Sequence, residues 1–427
     1  MNKFFFNKNL VKKIKNFFFP FYKTKEARII FNIFNEGQLK NKNIAMFVGG
    51  CVRKYLKNEK IDDIDIATVL TPEEIKQKFS KTNVKVIETG LDHGTLTLII
   101  NDKKFEVTTL RKDTENFGRH ATVSFLEDWK MDSERRDFTI NSIYLDQKGK
   151  IFDPQLGIQD LKNNFVKFIG NPNQRIQEDY LRIIRFLRFS IQYDSNADIE
   201  TIQALKLNLN GIKFLSKERI LSELVKILSL KNFSNILKHK NKKEIFLMIF
   251  PEFINLNFLS KIKFLSKFEK NEIDTNILLA TMLIDKTNNH EYFCHKYKTS
   301  NYIKDQLSFF ATTLEEYDLD KQFFKKNLKK NIYFLGKNRL KKFNLFLFLK
   351  NSKLSLKKYN EITTSISKTL VPEFPYNGKY LIKKGLVEGK KVGLAIKELE
   401  RAWLKNNFFL NSKSIVTIVN KVKNQTY

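Results

Sequence analysis

Phe47-Val48-Gly49-Gly50-Cys51-Val52-Arg53, followed by Ile61-Asp62-Asp63-Ile64-Asp65-Ile66-Ala67, is the stretch on which the fold turns. Two glycines close an apolar run, Ile44 to Val48. They allow a turn and a close backbone approach that a Cβ would block, so amide N–H groups can point at phosphate oxygens. Arg53 adds a forked cationic donor for the same oxygens. The alternation of acidic and β-branched residues reads as a strand with Asp63 and Asp65 on one face. Two carboxylates aimed at one point repel unless a cation sits between them. The pair therefore predicts Mg²⁺ shared with a substrate's phosphates, whereas a lone Asp-x-Asp would be read as a solvated strand edge.

Working outward, the pattern is mixed from Ile29 to about Ile169. Thr95–Ile100 and Lys104–Leu110 are alternating or β-branched runs joined by Asn101-Asp102, a hairpin signal. Glu106, between Phe105 and Val107, either faces solvent or joins a site. Beside Asp63 and Asp65 it becomes the natural third carboxylate, a metal ligand or the acceptor of a hydroxyl proton. Lys112–His120 is polar, without steady period, and reads as a long loop in which His120 is solvated. Glu134-Arg135-Arg136-Asp137-Phe138-Thr139-Ile140-Asn141 reads as a helix start. Its arginines can meet a triphosphate, and Asp137 and Asn141, four apart, can reach ribose hydroxyls. Beyond Gly170 strand signals fade and i, i+3, i+4 apolar spacing persists to the C-terminus.

Ile176–Phe189 reads as one helix with Leu181, Ile184, Phe186, Leu187 and Phe189 buried and Glu178, Asp179, Arg182 and Arg185 as a polar stripe. Such a stripe can be no more than intrahelical ion pairs. A carboxylate acceptor beside a guanidinium donor, however, complements the amine and ring nitrogen of cytosine and adenine, and opposes guanine and uracil. Leu215–Leu228 reads as an amphipathic helix capped by Ser216.

The glycine turn with Asp-Ile-Asp-Ile-Ala-Thr68 resembles the head-domain signature of the class II nucleotidyltransferases, which comprise CCA-adding tRNA nucleotidyltransferases and bacterial poly(A) polymerases. The strand Thr108-Thr109-Leu110-Arg111, the Glu134–Asn141 motif, Asp153–Gly157 with Asp160 and Leu161, and Glu-Asp-x-x-Arg-x-x-Arg at 178–185 resemble further motifs of that family. Lys54 departs from it, since an acidic residue is usual there. The resemblance implies an α/β nucleotidyltransferase head with a mixed sheet, followed by an all-α neck, body and tail. It implies that Asp63, Asp65 and Glu106 are catalytic, with Asp63 and Asp65 holding Mg²⁺. It further implies that Gly49, Gly50, Arg53, Arg136, Asp137, Asn141, Asp179, Arg182 and Arg185 bind the nucleotide, with Arg185 at the phosphates or orienting Asp179. The loop after Arg111 resembles the family's flexible loop, associated with the change from C to A addition. The tail, with Lys379–Gly385, Gly389, Gly393 and Leu399–Trp403, resembles that of many tRNA nucleotidyltransferases, and its glycines either approach a phosphate or merely connect helices.

The chain has 427 residues, more than one core accommodates. The expected division is a basic aromatic segment at 1–24, a head at 25–170, a neck at 171–245, and a body and tail at 246–427. Lys plus Arg number 77 against 46 Asp plus Glu, a net +31. That excess suits a polyanion, although an AT-rich coding bias that enriches Lys, Asn, Ile and Phe would supply part of it. Two cysteines fit a reducing cytoplasm, and no apolar run approaches the roughly 18–20 residues that span a bilayer. The first segment, with Phe4–Phe6, Phe17–Phe19 and several lysines, reads as a helix docking on the head in preference to a targeting or membrane-surface segment. Periodic Phe and Leu from Phe246 to Leu370 read as core, and His290 and His295 lack the partners of a metal phosphohydrolase. The expected activity is template-independent addition of C, C and A to the tRNA 3′ end from CTP and ATP. The alternatives are poly(A) synthesis, CC-only or A-only addition, or a non-catalytic RNA-binding protein on the same scaffold.

Overall fold

The computed structural model describes residues 20–37, 43–91, 94–117 and 120–424, with the backbone alone over 112–117 and 120–123. The chain divides into two compact units. One runs to Ile254 and takes back His295–Thr299; the other comprises Asn255–Cys294 and Ser300 onward.

The first unit is built on a seven-stranded sheet. Its strands are β1 (Ala45–Val48), β2 (Ile64–Thr68), β3 (Lys85–Gly90), β4 (Thr95–Ile100), β5 (Lys103–Thr109), β8 (Tyr144–Leu145) and β9 (Ile151–Phe152). Across the sheet they run in the order β3-β4-β5-β2-β1-β8-β9. β2 pairs parallel with β5 and antiparallel with β1, so the sheet is mixed as expected. Period 2 sends Phe47 to one face, where it meets Phe31 of helix α1 (Lys25–Asn35) with ring centroids 4.6 Å apart. Met46 and Val48 go to the other face, against Ala67, Leu110 and Tyr144, with Leu126 and Trp129 over them. A capping box at Thr71 and Glu74, with Pro72 at the first helical position, starts the helix Pro72–Phe79. Its Phe79 closes the α1 side against Phe34 at 5.1 Å.

The Asn101-Asp102 hairpin forms as read, both residues taking positive φ (47° and 62°) as a type I′ turn requires. The stretch after Leu110 differs from the expected loop. It is a two-stranded antiparallel ribbon, β6 (Arg111–Phe117) with β7 (His120–Phe125), which forms a sheet of its own. A ribbon held by its backbone ladder needs no apolar face, so the missing alternation in Lys112–His120 did not exclude strand. The reading of 1–24 falls largely outside the described residues. Its end, Pro20, is buried, and Phe21 packs on Phe47 at 4.9 Å.

Two helical readings need correction. Glu134–Asn141 is not one helix: Trp129–Glu134 ends at Arg135, Phe138 is extended, and Thr139–Asn141 is a single 3₁₀ turn. Ile176–Phe189 is also broken. One helix, α2 (Pro172–Glu178), stops at Asp179, whose backbone is extended (φ −153°, ψ 104°), and α3 (Leu181–Gln192) starts two residues later. The Asp179 carboxylate accepts the Leu181 amide at 3.1 Å, which is the capping habit of an aspartate. After α3 come Ile199–Asn208, a 3₁₀ segment Leu209–Phe214, and α4 (Lys217–Leu228), where Ser216 accepts from the Arg219 amide as the sequence suggests.

The second unit is helical. Thr275–Leu283, Asn301–Leu319 and Lys337–Lys350 enclose Phe310, Phe343 and Phe346, which are buried, in keeping with periodic aromatics as core. Its tail has its own cluster of Leu381, Leu386, Ala395, Leu399 and Trp403 on Ile415, Val419 and Val422. Gly385 (φ +87°) and Gly389 (φ +135°) lie in the turns between the tail helices.

Candidate active site

β2 and β5 set Asp65 directly beside Glu106 in parallel register. Adjacent strands lie about 4.8 Å apart and paired residues share a face, so the two carboxyl groups emerge together. Asp63 lies on the same side, one step before the strand begins. The glycine turn is packed against this group. A Cβ on Gly49 would lie 3.5 Å from Asp65 Oδ2 and one on Gly50 3.7 Å, and Gly49 has φ +72°. Burial pushes the Asp65 carboxyl up to about 6. Glu106 and Asp63 add to the rise, against the pull of Arg136 and a hydrogen bond from the Gly50 amide. That amide is thus engaged by Asp65. Cys51 is buried beneath, its thiol pushed up to about 12 by burial and the Asp65 charge, and its Sγ donates to the Val48 carbonyl at 3.2 Å.

A carboxylate that retains its proton this far above the usual range, among like charges, is a group short of positive charge. The donor set therefore fits a hard divalent cation. Among the described residues no three His, Cys, Asp or Glu side chains form a closed cage, so further oxygen ligands would come from water or substrate.

Arg136 reaches toward the glycine turn, its Nη1 lying 3.9 Å from the position of a Gly49 Cβ. It is held there by Asp132, a fully buried carboxylate not singled out from the sequence. Asp132 accepts from Arg135 Nε at 2.7 Å, Arg136 Nη2 at 3.0 Å and Tyr144 Oη at 2.8 Å. Burial alone would raise its pKa, but Arg136 and Arg135 hold it down to about 2. An acid three and four residues before two arginines was the available signal.

Asp137 and Asn141 do meet, Nδ2 to Oδ1 at 2.8 Å, but across the turn at Phe138. Asp137 also accepts from Arg185 Nε at 2.7 Å. Arg185 is thus paired with Asp137, and its charge also interacts with that of Asp179. Asp137 is held at about 2 although burial opposes it, through Arg185, Asn141 and Arg182. Asn141 Oδ1 takes a hydrogen bond from Arg53, which donates to Tyr193 Oη at 2.9 Å and lies 4.5 Å over the Phe189 ring. Arg53 is 6% exposed. Lys54, the departure from the family pattern, lies 3.5 Å from Asp62 at the surface.

At the helix break, Arg182 donates to Glu178 Oε2 at 2.6 Å and to the Arg175 carbonyl at 2.8 Å. Asp179 Oδ2 accepts instead from Arg219 Nη2 at 2.8 Å, so the two residues read as a base-selecting pair face different partners. Arg175, also missed, donates through Nη2 to the Arg135 and Arg136 carbonyls at 2.5 and 2.6 Å and joins the break to the arginine loop. Tyr180 packs on Gly211, where any Cβ would lie 2.1 Å from its ring.

Residues 45–167 match the family model of the poly A polymerase head domain, and residues 197–256 match that of the probable RNA and SrmB-binding site of polymerase A. The human CCA tRNA nucleotidyltransferase 1, mitochondrial, is 32% identical over 413 residues, 90% of this chain and 88% of that one. The CCA-adding enzyme of Staphylococcus aureus is 40% identical over 216 residues, 50% of this chain and 53% of that one. Among solved structures, the Bacillus stearothermophilus CCA-adding enzyme in complex with CTP superposes with a TM-score of 0.68 at 22% identity, covering 93% of this chain and 98% of that one.

Proposed function

The chain belongs to the CCA tRNA nucleotidyltransferase family and is an RNA nucleotidyltransferase, and we propose that it adds C, C and A to tRNA 3′ ends from CTP and ATP. The observation that carries this reading is the Asp65–Glu106 pair packed on the Gly49–Gly50 turn, in the same unit as the broken helix at Asp179. The RNA 3′-oxygen attacks the α-phosphorus of the nucleotide, a phosphodiester bond forms, and the bond to the leaving pyrophosphate breaks. Glu106, exposed on β5, accepts the hydroxyl proton. Asp63 and Asp65 would hold Mg²⁺, which when bound supplies charge neutralisation and a lowered hydroxyl pKa. Arg136, aimed by Asp132, meets the triphosphate, while Arg53, Asn141 and Asp137 form the wall behind it.

Base choice falls to Asp179 and Arg182, an acceptor and a donor that suit the amine and ring nitrogen of C and A. Against G or U they leave polar groups unpaired, and that penalty is what rejects a base. The division of labour follows the expected segments: transfer in 25–170, selection in 171–245, and the hold on tRNA phosphates by the basic helices of 246–427, with the segment 1–24 beside the head. No helix among the described residues is long and apolar enough to cross a membrane, and Cys51 and Cys294 are both buried. A reducing compartment, the cytoplasm, is the location we propose.

The test is a tRNA transcript lacking its terminal CCA, incubated with Mg²⁺, CTP and ATP, with products resolved to one nucleotide. Growth by three nucleotides that then stops, abolished by Asp65→Asn, is expected. A long A ladder with ATP alone, or arrest after two C residues, would replace this reading with poly(A) synthesis or partial addition.

A further inference from the structure

Asp179 is the group through which the proposed base selection acts, yet little local structure holds it. It occupies the break between α2 and α3 with an extended backbone, outside the hydrogen-bond ladder of either helix. Its carboxylate is fixed by two donors. The Leu181 amide takes Oδ1 at 3.1 Å and Arg219 Nη2 takes Oδ2 at 2.8 Å. Arg182 makes no hydrogen bond to that carboxylate here, being engaged by Glu178 and by the Arg175 and Arg135 carbonyls.

Arg219 comes from another helix, and that helix is itself well anchored. Ser216 caps the first turn of α4 by accepting the Arg219 amide. One turn on, Glu223, 2% exposed, takes Arg188 Nε of α3 at 2.7 Å, and the Arg188 guanidinium lies 4.0 Å over the Phe189 ring. A rigid platform thus carries one guanidinium to one oxygen of the selecting carboxylate. On the neighbouring residue, Tyr180 is seated on Gly211, which limits how far the break can shift as a whole.

We propose that Arg219 is a specificity-determining positioning residue, which fixes the orientation of the Asp179 carboxylate so that it accepts from the exocyclic amine of C or A and does not swing to the ring N–H of U or G. This rests on the reading of Asp179 as a base selector. A carboxylate on an extended residue, released from Arg219, keeps only the Leu181 amide and can pivot about that one hydrogen bond. It can then follow an imide N–H as readily as an amine. Discrimination between bases depends on the mismatched donor finding no partner, and a mobile acceptor gives it one. Arg219 does not contact the reacting phosphorus; it acts through Asp179.

The experiment is single-nucleotide addition to a CCA-less tRNA, with kcat and KM measured separately for CTP, ATP, UTP and GTP. The proteins are the full chain and its Arg219→Ala, Arg219→Gln, Arg219→Lys and Asp179→Ala variants. Arg219→Ala should raise the kcat/KM of UTP relative to CTP, and of GTP relative to ATP, by roughly tenfold, the scale expected for losing one charge-assisted hydrogen bond. Arg219→Lys should recover part of the discrimination. A purely structural role would slow all four nucleotides by one factor, and that result, or no change at all, overturns the proposal. If Arg219→Ala does not stay folded, Arg219→Gln, which keeps most of the side-chain volume, is judged by the same ratio. Discrimination that survives Asp179→Ala would instead sink the selector reading itself. Loss in Asp179→Ala with none in the Arg219 variants would sink only the role of Arg219.

Discussion

Asp132→Asn should loosen the arginine loop without changing the shape of its core. The wild-type carboxyl is fully buried and held at about 2, against an ordinary 3.8, by Arg136 and Arg135 in opposition to burial. A shift of just under two units corresponds to about 2.5 kcal/mol at 1.36 kcal/mol per unit. The amide that replaces it turns an N–H toward guanidinium or phenol donors, so the cost should approach the roughly 3–5 kcal/mol of breaking a buried ion pair on one side. The depressed pKa fixes the sign. The stabilisation is fully present above about pH 4 and is lost as pH falls through about 2, so the variant and the wild type should converge in acid. The assay has a built-in probe, because Trp129 stacks edge-on with Tyr144 at 5.6 Å, and Tyr144 donates to Asp132. The other tryptophan, Trp403, is buried in the second unit, so Trp403→Phe leaves Trp129 fluorescence to report the first. With a urea slope of about 2–3 kcal/mol per molar, the Trp129 transition should fall by about 1–2.5 M at neutral pH. An unchanged midpoint at neutral pH, or a difference that persists undiminished in acid, would refute the reasoning. The same variant should raise KM for CTP and ATP alike, since Arg136 is no longer aimed.

Asp65→Asn should abolish transfer yet stabilise the cation-free protein. The folded carboxyl keeps its proton to about 6 while the unfolded one releases it near 3.8, so wild-type stability declines as pH rises across that window and then levels. The Asn variant should lack that decline and melt higher at neutral pH by the equivalent of about 2–3 kcal/mol. Added Mg²⁺ should raise the melting temperature of the wild type and not of the variant, as differential scanning fluorimetry would show. Gly211→Ala places a Cβ 2.1 Å from the Tyr180 ring and must displace it. A cost of about 1–3 kcal/mol in denaturation, together with a raised KM for both nucleotides through the adjacent Asp179, is expected, and an unchanged KM would separate Tyr180 from the pocket.

Local pattern made the head and one neck helix legible: the glycine turn, the Asp-x-Asp strand, the Asn101-Asp102 hairpin and the Ser216 cap each follow from a few neighbouring residues. The break at Asp179 was hidden because the apolar spacing on either side is in phase with a single helix, so periodicity outweighed the capping preference of one aspartate. The ribbon β6–β7 gave no alternation to read, and a backbone ladder alone can hold such a pair. Pairings between distant elements left least trace. Arg219 meets Asp179 from 40 residues away, Arg185 meets Asp137 from 48, and Arg53 meets Tyr193 from 140. Nothing local in sequence encodes which arginine a given carboxylate takes.

Whether protein side chains replace a template in choosing the bases is open to one decisive measurement. A CCA-less tRNA is given all four nucleotides at equal concentration, and the added 3′ tails are sequenced for the wild type and for Asp179→Ala and Arg182→Ala. Tails of C, C and A in the wild type, dissolving into mixed sequence in both variants, are predicted. Wild-type tails of mixed or homopolymeric A sequence, or variants that still write CCA, would contradict it.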